Sequence, residues 1–217
     1  MKPALGATST AVGVAEVALF DFDETLIRPN SLGLLFRVSS GRRMLWHLVA
    51  PLVIDPGSYR LGVRLAIKRR LYRLCLKGRT DEWLREAGMA SAERLPVNPD
   101  AVAALETLAA EGLGVWLATA SPRAFVEGAV AAFGWPVARV VGTELSMAGG
   151  GFSGELVDEC AGQSKVEQIV AALDGAYPRY VVRVAYGNLP VDGPMLELAE
   201  RGYSVNRGRV APVHDRR

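Results

Sequence analysis

The amino-acid sequence predicts an α/β fold, a Rossmann-like parallel sheet with helices on both faces and an inserted helical cap. Three observations predict it. An apolar run from Val17 to Phe20 leads directly into two acids, Asp21 and Asp23. After Asn98, strand-like and helix-like stretches alternate, which is typical of a parallel sheet covered on both faces. Between these regions lies a basic stretch with helical spacing, which interrupts the series after its first strand.

Length and composition fit a globular domain with an inserted module. The chain has 217 residues, of which 50% are hydrophobic and 22% charged, and its net charge is +2. Such a chain can bury a good core. We predict an α/β core formed by residues 14–28 and 97–210, and a helical cap formed by residues 29–96.

The cysteines and the N-terminus indicate a reducing compartment. Cys75 and Cys160 form neither a disulfide framework nor a metal-ligand spacing, so we expect both to be small apolar fillers. Residues 1–13 lack the charged-then-apolar pattern of a secretion signal. The longest uncharged apolar run, 44–54, is too short to span a bilayer. We therefore expect a cytoplasmic protein.

The first strand delivers two carboxylates at its C-terminal end. In an extended chain, residues two apart point to the same side, so Asp21 and Asp23 can face one ligand before the chain breaks at Pro29. Two carboxylates this close repel each other unless a cation or a shared proton lies between them. A divalent metal is the natural ligand. The simpler alternative is a strand followed by an acidic turn.

The basic stretch contains residues that typically begin or end helices. We expect helices over about 31–53, 58–76 and 80–92. A Pro-Gly pair breaks the chain at residues 55–57. Thr80 followed by two acids is typical of a helix start, because acids there complement the helix dipole. Between Arg37 and Arg79 there are eleven Lys and Arg residues and only one acid, so this stretch is strongly basic.

The second part of the chain completes the α/β series. The expected elements are a helix from Asn98 to Gly112, a strand over 114–119, a helix from Ser121-Pro122 to Gly134, a strand over 138–141, a hairpin turn at 149–151, a helix over 164–173, a strand over 180–186 and a helix over 193–200. We expect the basic tail after Asn206 to be frayed.

Ligands of such sheets bind at the carboxyl ends of the strands, which makes polar residues there candidates. The strand over 114–119 ends in Thr119, followed by Ala120, Ser121 and Pro122. Thr119 would offer its hydroxyl to an anion while Ser121 caps the next helix. The amides of Ala120 and Ser121 at that helix start would add to the anion site. The alternative is a helix N-cap and nothing more.

Lys165 lies at the start of a helix, where the helix dipole disfavours a cation. An anionic group nearby would explain this position. Taken alone, the lysine is weak evidence, because helices tolerate surface lysines everywhere.

Together these segments resemble the four motifs of the haloacid dehalogenase superfamily, most of whose members are magnesium-dependent phosphohydrolases. The motifs occur in order: Asp21-Phe22-Asp23-Glu24-Thr25, the strand ending in Thr119, Lys165, and Gly187-Asn188-Leu189-Pro190-Val191-Asp192. They cover most of the chain. The long insertion after the first motif is similar to the phosphoserine-phosphatase-like subfamily IB, whose helical cap is inserted there.

The resemblance implies a role for each motif. Asp21 would attack phosphorus and form an aspartyl phosphate, and Asp23 would protonate the leaving oxygen and later deprotonate water. Lys165, Thr119 and Mg²⁺ would stabilise the phosphoryl charge. Thr25 would hold the acid loop in place beside the phosphate.

The metal site that the resemblance implies contains Asp21, Asp23, Asn188 and Asp192, the last acting through water or a hydrogen bond. The family has an aspartate where this chain has Asn188. Asn still offers an oxygen to Mg²⁺, but hard cations bind weakly without carboxylate support. Three interpretations stay open: a working enzyme with weaker metal binding, an inactive descendant that only binds phosphate, or a deliberately altered residue.

The cap is expected to select the substrate, a phosphorylated small molecule or a lipid phosphate. Phosphoserine phosphatases carry, nine residues after the nucleophile, a glutamate that recognises the amino group of the substrate. Here that position is Asn30, which disfavours phosphoserine. The length and the apolar-basic mix of the cap resemble the phosphatidylglycerophosphatase C type. We therefore hypothesise a lipid-linked or amphipathic phosphomonoester.

The cations of the second cap helix fall in two rows, Arg60-Arg64-Lys68 and Arg69-Arg73-Lys77. Such rows favour peripheral contact with an anionic membrane, here its inner face. The alternative is a solvated cap whose apolar side packs on the core. A polyanionic soluble substrate also fits, whereas nucleic acid is disfavoured because the few aromatic residues show no stacking pattern.

Overall fold

The computed structural model describes residues 14–41, 63–174 and 179–216. The strands of its main sheet are β1 (Val14–Asp21), β2 (Gly114–Pro122), β3 (Val137–Thr143), β6 (Arg179–Gly187), β7 (Arg201–Asn206) and β8 (Arg209–Asp215), and a small hairpin consists of β4 (Met147–Ala148) and β5 (Gly151–Phe152). The sheet order is β3-β2-β1-β6-β7-β8, and all neighbours are parallel except β7 and β8. The predicted fold class is confirmed.

Helices cover both faces of this sheet. They are α1 (Ser31–Ser40), α2 (Val63–Leu76), α3 (Asp81–Ser91), α4 (Pro99–Ala110), α5 (Arg123–Phe133), α6 (Gly162–Asp174) and the short α7 (Gly193–Leu196). A 3₁₀ turn, Ala92–Arg94, follows α3. None of the helices in the described ranges is long and apolar enough to cross a membrane.

β1 is buried on both faces, as its uninterrupted apolar run predicts. Val17 and Leu19 pack on one face with residues of α6 and α7. Ala18 and Phe20 pack on the other face with residues of α1 to α5. Because side chains alternate along a strand, a run without polar residues requires cover on both sides. Cys75 is a buried filler without a disulfide, as predicted, and it lies in the cluster that contains Ala18 and Phe20.

The order of the strands changes direction at β1. From β1 the chain moves to β2 and β3 on one side, then returns to β6 and β7 on the other side. At such a switch point the loops after neighbouring strands turn away from each other and leave room for a ligand. Asp21, the last residue of β1, lies at this point.

The first predicted cap helix is interrupted at Gly41. α1 ends at Ser40, because Gly41 adopts a positive φ of 61°, so the prediction of one continuous helix through this position is wrong, while the predicted stretch 42–53 lies outside the described residues. The predicted break at 55–57 and the start of the next helix at 58 lie outside the described residues. The predicted start of α3 is confirmed, since Thr80 accepts a hydrogen bond from the amide of Trp83.

Helix α3 packs directly on helix α5. A Cβ atom added to Gly88 of α3 would lie 2.0 Å from the carbonyl oxygen of Phe125, and one added to Gly128 of α5 would lie 2.0 Å from that of Arg85. The backbones therefore touch where both helices carry glycine. This contact fixes α3, which follows the basic helix α2, against the helical layer of the sheet.

The end of the chain differs from its prediction. Helix α7 ends at Leu196 rather than at residue 200, and β7 follows it. The tail after Asn206 is not frayed, because β8 pairs with β7 in an antiparallel hairpin. The turn between them contains Arg207 and Gly208, both at positive φ. Glycine permits this turn, and the hairpin then supplies the backbone hydrogen bonds of the tail.

Candidate active site

The acidic segment after β1 is a turn rather than a continued strand. The carbonyl oxygen of Phe22 accepts hydrogen bonds from the amides of Leu26 and Ile27, both at 3.1 Å. The extended conformation assumed for this segment therefore holds as far as Asp21, the last residue of β1. Asp21 ends the strand, whereas Asp23 lies on the turn, and its position is set by its own hydrogen bonds.

A buried lysine bridges two carboxylates at this end of the sheet. The Nζ of Lys165, in the first turn of α6, lies 2.8 Å from Oδ1 of Asp21 and 2.7 Å from Oδ1 of Asp192. The three residues are 4%, 5% and 3% exposed, respectively. Asp21 and Lys165 are 144 residues apart. The carboxylates thus explain a cation at a helix start, where the dipole alone would disfavour it.

One ammonium group shared by two buried carboxylates leaves a negative charge without compensation. Burial raises the pKa of Asp21 to about 7, with Asp192 adding to the rise and Lys165 opposing it. Burial acts against the charge of Lys165, but Asp21 and Asp192 outweigh it and hold the pKa of Lys165 above its ordinary value. The ammonium therefore stays charged, and the site favours an additional cation.

The loop after β6 holds Asp192 in place. Its Oδ2 accepts a hydrogen bond of 2.9 Å from the amide of Asn188. A Cβ atom on Gly187 would lie 2.6 Å from the Cβ of Asp192, so the close approach requires glycine. The side-chain Nδ2 of Asn188 donates to Oε2 of Glu24 at 3.0 Å. The loop that carries the predicted fourth motif is thereby joined to the first.

Both oxygens of Asp23 accept hydrogen bonds. Oδ1 accepts one of 2.6 Å from the amide of Ser31, and Oδ2 accepts one of 2.8 Å from the hydroxyl of Ser121. Ser121 reaches Asp23 because the β2–β3 register shifts between Thr119 and Pro122. The prediction that Ser121 caps the next helix is wrong. Ser121 lies in β2, and α5 begins at Arg123 without a side-chain cap.

The other predicted anion ligands lie close to this bulge. Thr119 is fully buried, and its Oγ1 accepts a hydrogen bond of 3.1 Å from the amide of Ser121. The carbonyl oxygen of Ala120 accepts one of 2.9 Å from Thr143. Thr25 is also fully buried, and no described hydrogen bond joins its hydroxyl to the site. Its carbonyl oxygen instead accepts from Nδ2 of Asn98 at 3.2 Å.

The predicted metal ligands differ in their freedom to bind a cation. In the described ranges, no group of three or more His, Cys, Asp or Glu side chains is arranged to hold a metal. Asp23 and Asp192 already use both carboxylate oxygens. Oδ2 of Asp21 and Oδ1 of Asn188 accept no hydrogen bond from the described residues. These oxygen donors beside an uncompensated negative charge fit a hard cation such as Mg²⁺.

Sequence reasoning missed two residues of this site, Ser31 and Glu24. Glu24 holds Asn188 from a strained φ of 63°, and Ser31 holds Asp23. The Asn30-Ser31 pair is a helix-start signal, and Asn30 does cap α1 through the amide of Leu32. The second partner of Ser31 is Ser121, 90 residues away in the sequence, and no local pattern predicts that contact.

Comparisons with known proteins agree with this geometry. A model of the haloacid dehalogenase-like hydrolase family matches residues 18–197. No curated protein matches the chain. A protein of unknown function from Bordetella pertussis Tohama I is similar in structure, with a TM-score of 0.63 and 20% identity over 88% of this chain and 89% of that one.

Two phosphoserine phosphatase structures are similar at comparable identity. A substrate-bound complex has a TM-score of 0.54 and 17% identity over 88% of this chain and 85% of that one. A probable phosphoserine phosphatase from Vibrio cholerae has a TM-score of 0.57 and 17% identity over 89% of this chain and 56% of that one. Similarities at this identity establish the shared fold.

Proposed function

The chain belongs to the haloacid dehalogenase-like hydrolase family, and on this premise we propose that it hydrolyses phosphomonoesters through a phosphorylated Asp21. The observation that carries the proposal is the buried bridge from Asp21 through Lys165 to Asp192 at the end of β1. A cation fixed beside the nucleophile neutralises charge during phosphoryl transfer without having to reorganise.

The proposed reaction has two steps. The carboxylate of Asp21 attacks phosphorus, the bond from phosphorus to the alcohol oxygen breaks, and Asp23 gives that oxygen a proton. Water then attacks the phosphoryl group, Asp23 takes its proton, and the bond from phosphorus to Asp21 breaks to release phosphate. Proton transfer by such a group contributes about 10²–10⁴-fold.

Mg²⁺ is the proposed cofactor, held by oxygens of Asp21 and Asn188, with Asp192 fixing the loop that carries Asn188. When bound, it would supply positive charge to the transferring phosphoryl group. Asn188 contributes a neutral oxygen only, so we expect weaker Mg²⁺ binding than a carboxylate at this position would give.

The test is hydrolysis of p-nitrophenyl phosphate with and without Mg²⁺ by the unmodified chain, Asp21→Asn and Asn188→Asp. We expect Mg²⁺-dependent turnover that Asp21→Asn lowers by about 10³-fold or more, because the nucleophile is lost. Turnover that Asp21→Asn leaves intact would contradict the proposed nucleophile.

A second candidate function is phosphate binding without turnover. The observation that favours it is the amide of Asn188, which donates to Glu24 at a position where the family has an aspartate. In this case only Asn188→Asp hydrolyses p-nitrophenyl phosphate, while the unmodified chain binds inorganic phosphate in a calorimetric titration.

The finer proposal concerns the substrate, a lipid-linked or otherwise amphipathic phosphomonoester. On α2, the side chains of Arg69 and Arg73 are exposed beside Leu74, which is 49% exposed. Arg69 and Arg73 line a cleft of about 500 Å³ whose other wall includes Val157, 72% exposed. Cations next to exposed apolar side chains favour an anionic, amphipathic surface, each nearby cation contributing about 1 kcal/mol.

Among the described residues, the second predicted cation row is the exposed one. Lys77 is exposed and continues the row of Arg69 and Arg73. Lys68 of the first row is paired with Glu159. Arg60 and the side chain of Arg64 lie outside the described residues. The proposed membrane contact is therefore supported by the second row, and the similarity to the phosphatidylglycerophosphatase C type stays a prediction.

Vesicle sedimentation tests this contact. We expect the chain to sediment with vesicles that contain phosphatidylglycerol more than with phosphatidylcholine vesicles, and Arg69→Gln/Arg73→Gln to reduce the difference. The matched control is Arg94→Gln/Arg209→Gln, which removes two exposed charges elsewhere. Equal sedimentation with both vesicle types, or an equal loss in both variants, would contradict the contact.

A further inference from the structure

The carboxylate of Asp23 is held between two elements that are distant in sequence. The amide of Ser31, the first residue of α1, lies 2.6 Å from its Oδ1, and the hydroxyl of Ser121 lies 2.8 Å from its Oδ2. The two serine hydroxyls are 3.0 Å apart. Ser31 and Ser121 are 0% and 1% exposed, so water does not compete for these hydrogen bonds.

Helix capping explains one of these contacts. The first amides of a helix lack partners within the helix, and a carboxylate there also complements the helix dipole. Asn30 already satisfies the amide of Leu32, and Asp23 satisfies that of Ser31. A cap needs only one carboxylate oxygen, so capping leaves the contact with Ser121 unexplained.

The contact with Ser121 requires an irregular strand end. β2 leaves its register with β3 between Thr119 and Pro122, and the amide of Ser121 turns back to Oγ1 of Thr119 at 3.1 Å. This bulge directs a buried hydroxyl at the free oxygen of Asp23. Bulges at strand ends often aim a side chain at a functional group.

We propose that Ser31 and Ser121 are positioning residues that hold Asp23 in the orientation for proton transfer to the leaving oxygen. This inference rests on the proposed phosphatase function. Ser31 also ties that orientation to helix α1, so the first helix after the acidic turn and the acid move as one unit. The two hydroxyls brace each other and restrict the rotation of the Asp23 side chain.

The readout that separates positioning from structural support is the leaving group. p-Nitrophenolate leaves without protonation, whereas the alkoxide of an alkyl phosphate needs the proton that Asp23 supplies. A displaced acid therefore lowers kcat/KM for ethyl phosphate much more than for p-nitrophenyl phosphate. General damage to the fold lowers both equally. Asp23→Asn defines the full size of this selective loss.

The backbone conformation at Ser31 permits a substitution to proline, which tests the amide donor directly. Ser31→Pro removes the amide donor and the hydroxyl, and proline is well tolerated at the first position of a helix. Asn30, with φ −78° and ψ 116°, already has the conformation that a residue before proline prefers. Ser31→Ala removes only the hydroxyl, so the difference between these variants isolates the amide. Ser121→Ala removes the second donor.

We expect Ser31→Pro to lower kcat/KM for ethyl phosphate by about tenfold or more, and for p-nitrophenyl phosphate by less than about threefold. Ser31→Ala and Ser121→Ala should give smaller losses of the same selectivity, and their selectivity should vanish in an Asp23→Asn background. Ser39→Ala is the control, because its hydroxyl donates to the carbonyl of Leu35 on the same helix.

The outcomes distinguish the two proposals. An unmodified chain that hydrolyses neither ester overturns the proposed function and the positioning role with it. An active chain whose serine variants lose both esters equally overturns the positioning role alone. If Ser31→Pro fails to fold in thermal denaturation, the two alanine variants decide the question by the same ratio.

Discussion

At the scale of single residues, the site is organised by charge that is buried without full compensation. Lys165 serves both Asp21 and Asp192, and Asp23 adds a third carboxylate close by. A buried charge is tolerated when it is paired, and an unpaired one raises the energy of the folded protein. The site therefore costs stability in the absence of a cation, which is a common property of functional sites.

This cost predicts a pH-dependent stabilisation by Asp21→Asn. The unfolded chain loses the Asp21 proton near its ordinary pKa of 3.8, while the folded chain keeps it to about 7, so stability falls as pH rises through this window. With EDTA at pH 8, we expect Asp21→Asn to raise the free energy of unfolding by about 1–3 kcal/mol, and by much less at pH 5.

Chemical denaturation at both pH values measures the effect. Asp174→Asn, an exposed substitution of the same atoms at the end of α6, is the control and should change stability by less than about 0.5 kcal/mol. A stabilisation by Asp21→Asn that is equal at pH 5 and pH 8 would show that the charge of Asp21 does not destabilise the folded protein.

Asn188 leads to a second prediction, on metal binding. Asn188→Asp places a carboxylate beside Glu24, where the amide now donates at 3.0 Å. Without Mg²⁺ we expect a lower Tm, because the two carboxylates repel each other. With Mg²⁺ we expect a larger rise in Tm than in the unmodified chain. Tenfold tighter binding adds about 1.4 kcal/mol to the free energy of unfolding. Equal rises in Asn188→Asp and Asn188→Ala would exclude this position as a ligand.

At the scale of elements, the contact between α3 and α5 requires glycine on both helices. Gly88 and Gly128 let the two backbones touch, and a methyl group at either position would overlap a carbonyl oxygen. Tight packing of this kind cannot be relieved by a side-chain rotation, because the obstructing atoms belong to the backbone.

We predict that Gly88→Ala lowers the free energy of unfolding by about 2–4 kcal/mol, measured by urea denaturation. Gly33→Ala is the matched control, since a Cβ at Gly33 in α1 meets nothing within 4 Å. That control should be neutral or stabilising by up to about 1 kcal/mol, because alanine favours helices. Equal effects of the two substitutions would contradict the close approach of α3 and α5.

At the scale of the whole molecule, a stack of aromatic rings crosses the sheet. The ring centroid of Phe20 in β1 lies 4.6 Å from that of Tyr186 in β6, and the ring centroid of Tyr186 lies 4.8 Å from that of Tyr203 in β7. The three ring planes are nearly parallel. β8 closes this side of the sheet, and its Val210 packs against the same core cluster. The strand that carries Asp21 is thus linked through the sheet to the last hairpin.

Removal of residues 209–217 should therefore destabilise the entire sheet. Without β8, the edge of β7 loses its antiparallel partner and Tyr203 gains exposure. We expect a fall in Tm of about 5 °C or more, together with aggregation through the open edge. Val213→Ser, at an exposed position of β8, is the control and should leave Tm nearly unchanged. An unchanged Tm after truncation would indicate a dispensable hairpin.

The sequence determined the features that depend on neighbours along the chain. The apolar run of β1, the capped helix start at Thr80, the helix start at Asn98-Pro99 with its first-turn proline, and the alternation of strands and helices each follow from local patterns. The parallel order of the strands then brings their carboxyl ends together. For this reason Asp21 could be named as a candidate before its contacts were known, whereas Lys165 and Asp192 were named from the resemblance of their segments to the motifs of the family.

Only the tertiary structure decided which side chains meet. Ser121 was predicted as a helix cap and instead holds Asp23, and the tail expected to fray forms β8. Ser31 and Ser121 are 90 residues apart, and their contact depends on a turn after β1 and a bulge in β2. Local patterns fix the conformation of a segment, but the partner of a buried polar group is fixed by packing between distant segments, because the group must find a hydrogen bond wherever folding excludes water.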